Sequence, residues 1–210
     1  GAIAEVARKA LSKDFRCIDP RTARVLLIEA GPRLLSTFTP SMSGYARKAL
    51  EKLGVDVRLG DAVTQCSAGG VQVKDGNIPA ATIIWAAGVA ASPAADWLQA
   101  RKDPNNRVIV DQKLQIDGRP EVFVIGDTAT FVADDGKPLP GVATVAKQQG
   151  KFVGRVIAAR LRGQAEPDEF RYRDVGQLAT IGRRKAVVDL GRVRFKGWLA
   201  WWFWGIVHIY

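Results

Sequence analysis

The chain has 210 residues, 47% hydrophobic and 25% charged, a balance that excludes global disorder and, at ~150 residues per domain, bounds it at one to two domains. Its net charge is +10, and residues 137–210 alone hold 14 Lys or Arg against 5 Asp or Glu. Such asymmetry argues against a uniformly basic nucleic-acid binder and for an anionic surface touching one end of the molecule.

The opening stretch, GAIAEVARKALSKDF, has apolar residues at helical spacing and reads as the middle of a helix ending near residues 12–14. No initiator methionine or signal peptide precedes it, so the chain is expected to be a piece of a longer protein. VLLIE follows, a continuous apolar run that predicts a strand buried on both faces. PSMSGYARKALEKLG predicts a second helix with Gly54 as its C-terminal cap. VDVRLGDAVTQCSAGGVQVKDG alternates and predicts a strand and then a hairpin turning at Gly69–Gly70. ATIIWAAG predicts another buried strand, and RVIVDQKLQI and EVFVIGDTATF one strand each. A long helix is expected between Gly141 and Gly163. From Pro167 the texture changes to short alternating strands broken by glycines, which places a boundary near residues 164–168. The order predicts an α/β fold with a parallel sheet.

Cys17 and Cys66 form no CxxC pair, and His208 is the only histidine, so no metal site is expected. The two thiols are expected to be single and buried, with a disulfide left open.

In open α/β sheets, ligands sit beyond the carboxyl ends of the strands, and three ends carry suggestive chemistry. Glu29 ends VLLIE, where a carboxylate can accept both hydroxyls of an adenosine ribose and repel a 2′-phosphate; a solvated surface carboxylate is the plainer alternative. Ala86, Ala87 and Gly88 end IIWAAG and leave room for a flat ligand, or simply make a tight turn. Gly126 and Asp127 end VFVIGD, where a glycine permits close approach and the carboxylate is either a ligand or a helix cap.

Taken in this order, VLLIEAGPRLL, IIWAAG, VFVIGDTA and GVATVAKQQG resemble the C-terminal half of type II NADH dehydrogenases, the single-subunit NADH:quinone oxidoreductases. The resemblance runs over essentially the whole chain. It is most specific at IGD, AKQQG and FRYRDVGQLATIG. It implies an incomplete Rossmann-like NAD-binding domain over residues 1–88, whose first strand and GxGxxG loop are missing. The C-terminal part of an FAD-binding domain would span 89–165, and a small α+β membrane-docking segment 166–210. It implies that hydride passes from NADH to FAD and two electrons then reach a membrane quinone, without proton pumping and without a catalytic side chain. Both cofactor sites would be incomplete, and the chain alone is expected to be inactive.

By resemblance, Glu29 would hold the NADH ribose, and Ala87 and Gly88 would lie near the nicotinamide. Gly126 and Asp127 would contact FAD. Val145 and Ala146 would offer backbone N–H groups to the flavin, where a helix N-terminus favours the negative charge of the reduced ring. Thr144, Gln148 and Gln149 would line the quinone side. Many relatives read AQxAxQQG where this chain reads ATVAKQQG, so Thr144 stands in place of a longer Gln.

The tail GWLAWWFWGIVHIY is too short to span a bilayer and has almost no polar face. Trp198, Trp201, Trp202 and Trp204 are therefore expected at a membrane interface. Arg183, Arg184, Lys185, Arg192, Arg194 and Lys196 are expected to face its headgroups. This implies a peripheral protein on the cytoplasmic face of the cell membrane; a homodimer is left open. A sulfide:quinone or other reductase of the same fold is the alternative enzyme, although neither Cys17 nor Cys66 adjoins an expected flavin contact. A nucleic-acid-binding module is the alternative from another class, and clustering of tryptophan with aliphatic residues instead of charges argues for lipid over bases.

Overall fold

A computed structural model describes residues 1–11, 14–15 and 17–209. It divides into two compact units, residues 1–85 with 176–210, and residues 86–175.

The first unit begins with α1 (Ala2–Glu5), which continues as a π-helical stretch over Val6–Ala10. The end expected near residues 12–14 falls partly outside the described residues. β1 (Val25–Glu29) pairs in parallel with β2 (Val55–Leu59), so Glu29 and Leu59 end side by side. Between them runs α2 (Pro40–Lys52), with Pro40 in its first turn, where the missing N–H costs nothing. Met42, Ala46, Ala49 and Leu50 recur on one helical face and are buried. Gly54, at φ +77°, follows the helix end as expected, its N–H donating to Glu51 O at 2.8 Å.

Several expectations are corrected. β1 is half-buried at all five positions, because among the described residues β2 is its only sheet neighbour. The expected hairpin turns at Ala68–Gly69 and carries a third strand, giving β3 (Gln65–Ser67), β4 (Gly70–Val73) and β5 (Gly76–Pro79). Residues 81–88 form no strand, and Ile84 and Trp85 are 64% and 63% exposed. An apolar run becomes a strand only where a neighbour pairs with its backbone, and among the described residues none pairs there. Both cysteines are free and exposed, Cys66 because it sits on a β3 exposed at every position.

The unit is completed by the antiparallel sheet β10 (Gln177–Gly182), β11 (Lys185–Asp189) and β12 (Arg194–Gly197), followed by α5 (Trp198–Ile209). The short glycine-broken strands expected there are present. β11 is buried on both faces: Val187 joins the core of α1, α2 and β2, while Ala186 and Val188 pack with Ala200 of α5. Alternation along β11 thus sets two separate cores back to back.

The second unit holds α3 (Ala94–Trp97) and two strand pairs. β6 (Val108–Ile109) lies parallel to β9 (Ala129–Thr130), and β7 (Gln115–Ile116) antiparallel to β8 (Arg119–Phe123). Each of the two long strands expected here is therefore split, RVIVDQKLQI by a turn after Asp111 and EVFVIGDTATF by the IGD bend. Among the described residues, the parallel sheet of the expected fold is confined to the pairs β1–β2 and β6–β9. The long helix, α4 (Ala143–Leu161), runs as expected and packs Phe152, Val153 and Val156 into the core.

Asp103 braces this unit. Its Oδ2 accepts from Thr130 Oγ1 at 2.6 Å and Arg107 Nε at 2.8 Å, and its Oδ1 from the Asn105 and Arg107 N–H groups. Burial pushes the carboxyl up, but these hydrogen bonds, led by Thr130, outweigh it and hold the group at about 2. A depressed pKa stabilises the fold above the unfolded value near ~4, and that stability is lost as pH falls through the folded value. D103N is therefore expected to cost about 2 kcal/mol in urea unfolding at pH 7. At pH 2 the cost should largely vanish; equal costs at both pH values would contradict this account.

Candidate functional site

In the second unit, β8 leads through buried Val124 to Gly126, which turns at φ +67° into a single 3-10 turn, Gly126–Thr128. That left-handed conformation favours glycine. The Gly126 N–H donates to Gln149 Oε1 at 2.7 Å, and Gln149 is 1% exposed. A Cβ on Gly126 would lie 3.5 Å from Ala146 Cβ. The turn is therefore seated on α4 through Ala146 and Gln149, three residues apart on one helical face. Asp127 is exposed, and its Oδ1 would lie 3.2 Å from a Cβ on Gly141, so the absence of a side chain there gives the carboxylate its space.

Among the described residues no side chain caps α4, whose N-cap Val142 is 41% exposed. Val145 is buried; its N–H and that of Ala146 donate to Val142 O at 3.0 and 3.2 Å. The uncapped first turn leaves the positive end of a 19-residue helix beside the IGD turn.

The other face of α4 meets residues 172–173. Thr144 Oγ1 lies 3.2 Å from the Tyr172 hydroxyl. Gln148, one turn on, donates from Nε2 to Arg173 O at 2.8 Å and accepts the Arg173 N–H at 3.0 Å. Thr144 and Gln148 thus share one side of the helix, and Ala146 and Gln149 another. Tyr172, Arg173 and Gly141 were not candidates on sequence; a phenol next to basic residues in FRYRD was the only available signal.

In the first unit, Glu29 is half-buried at the end of β1, and its Oε1 accepts the Gly31 N–H at 2.7 Å. Gly60 N–H to Gly31 O, 2.9 Å, and Asp61 N–H to Glu29 O, 3.3 Å, extend the β1–β2 ladder past the strand ends and hold this turn. Ala87 and Gly88 belong to the second unit and are exposed, Gly88 at φ +110° with open space around it.

α5 packs Ala200, Trp201 and Phe203 toward β11 and β12, with Phe203 edge-on to Phe195 at 5.5 Å. Trp198, Leu199 and Trp202 are 55%, 62% and 57% exposed on the outward side, and Trp204 is half-buried. Among the described residues no helix is long and apolar enough to cross a membrane. The basic residues do not all flank α5, contrary to expectation. Arg194 and Lys196 pair across from Asp189 and Val187 and so occupy the sheet face opposite α5. Arg194 binds Asp189 at 3.0 Å, and the Lys196 ammonium lies 5.3 Å from the Tyr45 ring centroid.

The sequence pattern of the family described as pyridine nucleotide-disulphide oxidoreductase matches residues 3–150. The chain is 40% identical to the type II NADH:quinone oxidoreductase Ndh of Mycobacterium tuberculosis, an alignment covering all of this chain and 46% of that protein. It is 34% identical to the type II NADH:quinone oxidoreductase of Staphylococcus haemolyticus, over 81% of this chain and 43% of that one. It therefore spans about half the length of these curated relatives. Its fold matches that of NDH2 from Plasmodium falciparum, solved in complex with NADH, with a TM-score of 0.82 at 18% identity over 98% of this chain and 57% of that chain. With more than half of its residues inside the matched pattern, the chain belongs to the pyridine nucleotide-disulphide oxidoreductase family.

Proposed function

We propose that this chain supplies the NADH, flavin and quinone contacts of an NADH:quinone oxidoreductase that passes a hydride from NADH to FAD and two electrons to a membrane quinone without pumping protons. One observation carries the reading: the IGD turn is seated on the uncapped first turns of α4, with Gly126, Asp127 and the helix N-terminus together. A left-handed glycine, an exposed carboxylate and a positive helix end fit the ribityl and ring portion of a flavin. The 40% identity to Ndh over the whole chain supports the same activity.

FAD, when bound, supplies the redox centre between the two substrates. The residues of this chain position and polarise. Asp127 would accept from a ribityl hydroxyl, and Gly126 would let the cofactor approach the backbone. The first turn of α4, with Val145 and Ala146, would favour negative charge at the flavin's pyrimidine edge. Ala87 and Gly88 would border the nicotinamide. Thr144 and Gln148 are assigned to the quinone side; Gln149, expected there too, is buried on another side of the helix and holds the Gly126 turn. In domain terms, residues 1–88 serve NAD, 89–165 FAD, and 166–210 docking to the cytoplasmic face of the cell membrane through Trp198, Trp202 and Trp204, whereas Trp201, expected there too, packs inward against the core beneath α5. The outward apolar side of α5 supports that docking.

The nucleotide assignment rests on Glu29, whose Oε1 is held by the Gly31 N–H, leaving Oε2 for a ribose hydroxyl. A 2′-phosphate would meet a fixed carboxylate. In the holoenzyme, stopped-flow mixing is expected to show flavin bleaching by NADH and recovery with quinone. E29S should narrow the preference for NADH over NADPH about tenfold or more, the equivalent of one lost charge repulsion. An unmodified enzyme using both nucleotides equally would remove this role from Glu29, and one whose flavin quinone could not reoxidise would overturn the proposed function.

A further inference from the structure

The quinone side of α4 carries an unassigned group. Gln148 has both ends of its carboxamide engaged by the Arg173 peptide, at 2.8 and 3.0 Å. That two-point clamp resembles a strand pairing and leaves this side chain holding backbone. What it holds is the Arg173 backbone, and through it the position of Tyr172 just before. Tyr172 packs its ring partly against the core of the second unit, and its hydroxyl meets Thr144 Oγ1 at 3.2 Å.

The segment is pinned on its other side as well. Phe170 is 3% exposed, edge-on to Phe131 at 5.2 Å and Phe152 at 5.8 Å, and its N–H donates to Gln112 O at 2.8 Å. Tyr172 lies between buried Phe170 and the clamped Arg173 backbone, and its own ring packs on the core, so these anchors fix where it points. The phenol is thus held at both neighbours and delivered to the first turn of α4.

Hydrogen counting then sets its chemistry. Two hydroxyls carry two donor hydrogens, and one of them lies between Thr144 and Tyr172 whichever group donates. The second hydrogen is not used within the pair and is available to an acceptor beside the first turn of α4. A threonine hydroxyl at position 144 is too short to reach far alone; paired with a phenol, it becomes part of a longer donor. We infer that the Tyr172–Thr144 hydroxyl pair is the hydrogen-bond donor to a carbonyl oxygen of the quinone, and that Gln148 is a positioning residue acting through Arg173. This inference rests on the quinone reading proposed above.

The test uses the holoenzyme and two electron acceptors, a short-chain quinone and ferricyanide, which has no carbonyl to bind. Tyr172→Phe keeps the ring and removes the phenol that extends the donor beyond the short Thr144 hydroxyl. It should raise KM for the quinone roughly tenfold, as expected for one hydrogen bond to a carbonyl. Ferricyanide reduction and NADH bleaching of the flavin should be unchanged. Thr144→Val and Gln148→Ala should shift the quinone KM in the same direction. Thr144→Gln placed in the Tyr172→Phe background should restore it, because a longer carboxamide donates without the phenol. A quinone KM unaltered by Tyr172→Phe, or equal losses with both acceptors, overturns the inference while the wild-type quinone activity stands. A wild-type enzyme that reduces ferricyanide but no quinone overturns the functional reading, and this inference with it.

Discussion

W198S/W202S is expected to strip the holoenzyme from lipid vesicles without unfolding it. The two tryptophans are one helical turn apart on the outward side of α5, each more than half exposed. Sinking one such side chain into an interface contributes about 2 kcal/mol, so losing both should weaken partitioning about a thousandfold. Neither belongs to the set that packs on β11, so melting and circular dichroism should be unchanged. Deleting everything from Trp198 onward would be a poorer experiment, because it uncovers Ala186 and Val188, both fully buried under α5. Added salt should loosen binding less than six headgroup contacts would require, since Arg194 and Lys196 lie on the sheet face opposite α5. Co-sedimentation with anionic vesicles measures all of this. Full retention of the double variant would place the anchor outside α5.

Q149L should lose flavin. Leucine fills nearly the same buried volume but leaves the Gly126 N–H without its acceptor, at a cost of about 1–3 kcal/mol. Gly126 sits in a left-handed conformation that this bond helps to hold, so the turn presenting Asp127 should relax. Flavin retained per protein after dialysis should fall well below stoichiometric, with a shifted absorbance band in what remains. Q149E keeps a carbonyl oxygen facing Gly126 and should recover part of the loss. Unchanged flavin content and melting in Q149L would show that the bond is dispensable to the site.

Much of the frame was legible in sequence because local rules and packing agreed there. α2 carries a clear apolar stripe with Pro at one end and Gly54 at the other, and α4 runs between two glycines. VLLIE formed its strand, yet its burial depended on how many neighbours the sheet supplied, which no local pattern encodes. IIWAAG is also an apolar run and formed no strand, because among the described residues no backbone pairs with it. At the candidate site, Gly126 and Asp127 were visible as a strand end, but Tyr172 was not. Its hydroxyl matters through Thr144, 28 residues earlier, and only the fold brings the two together. The basic residues near the tail misled for a related reason. Counting charge ignores strand alternation, and alternation turns Arg194 and Lys196 away from α5.

β11 also bears on how the chain can fold during synthesis. Val187 completes the core built by Ala4, Met42 and Val55, so the first unit cannot close until the ribosome has made residues lying beyond the whole of 86–175. The second unit, by contrast, is continuous and can form as soon as it emerges. Residues 1–85 should therefore wait, with apolar surface uncovered, while the intervening segment folds ahead of them. Contacts of such long sequence separation slow folding and lengthen exposure to aggregation. A nascent chain stalled before Gly176 should accordingly be protease-resistant in the second unit and cleaved in the first.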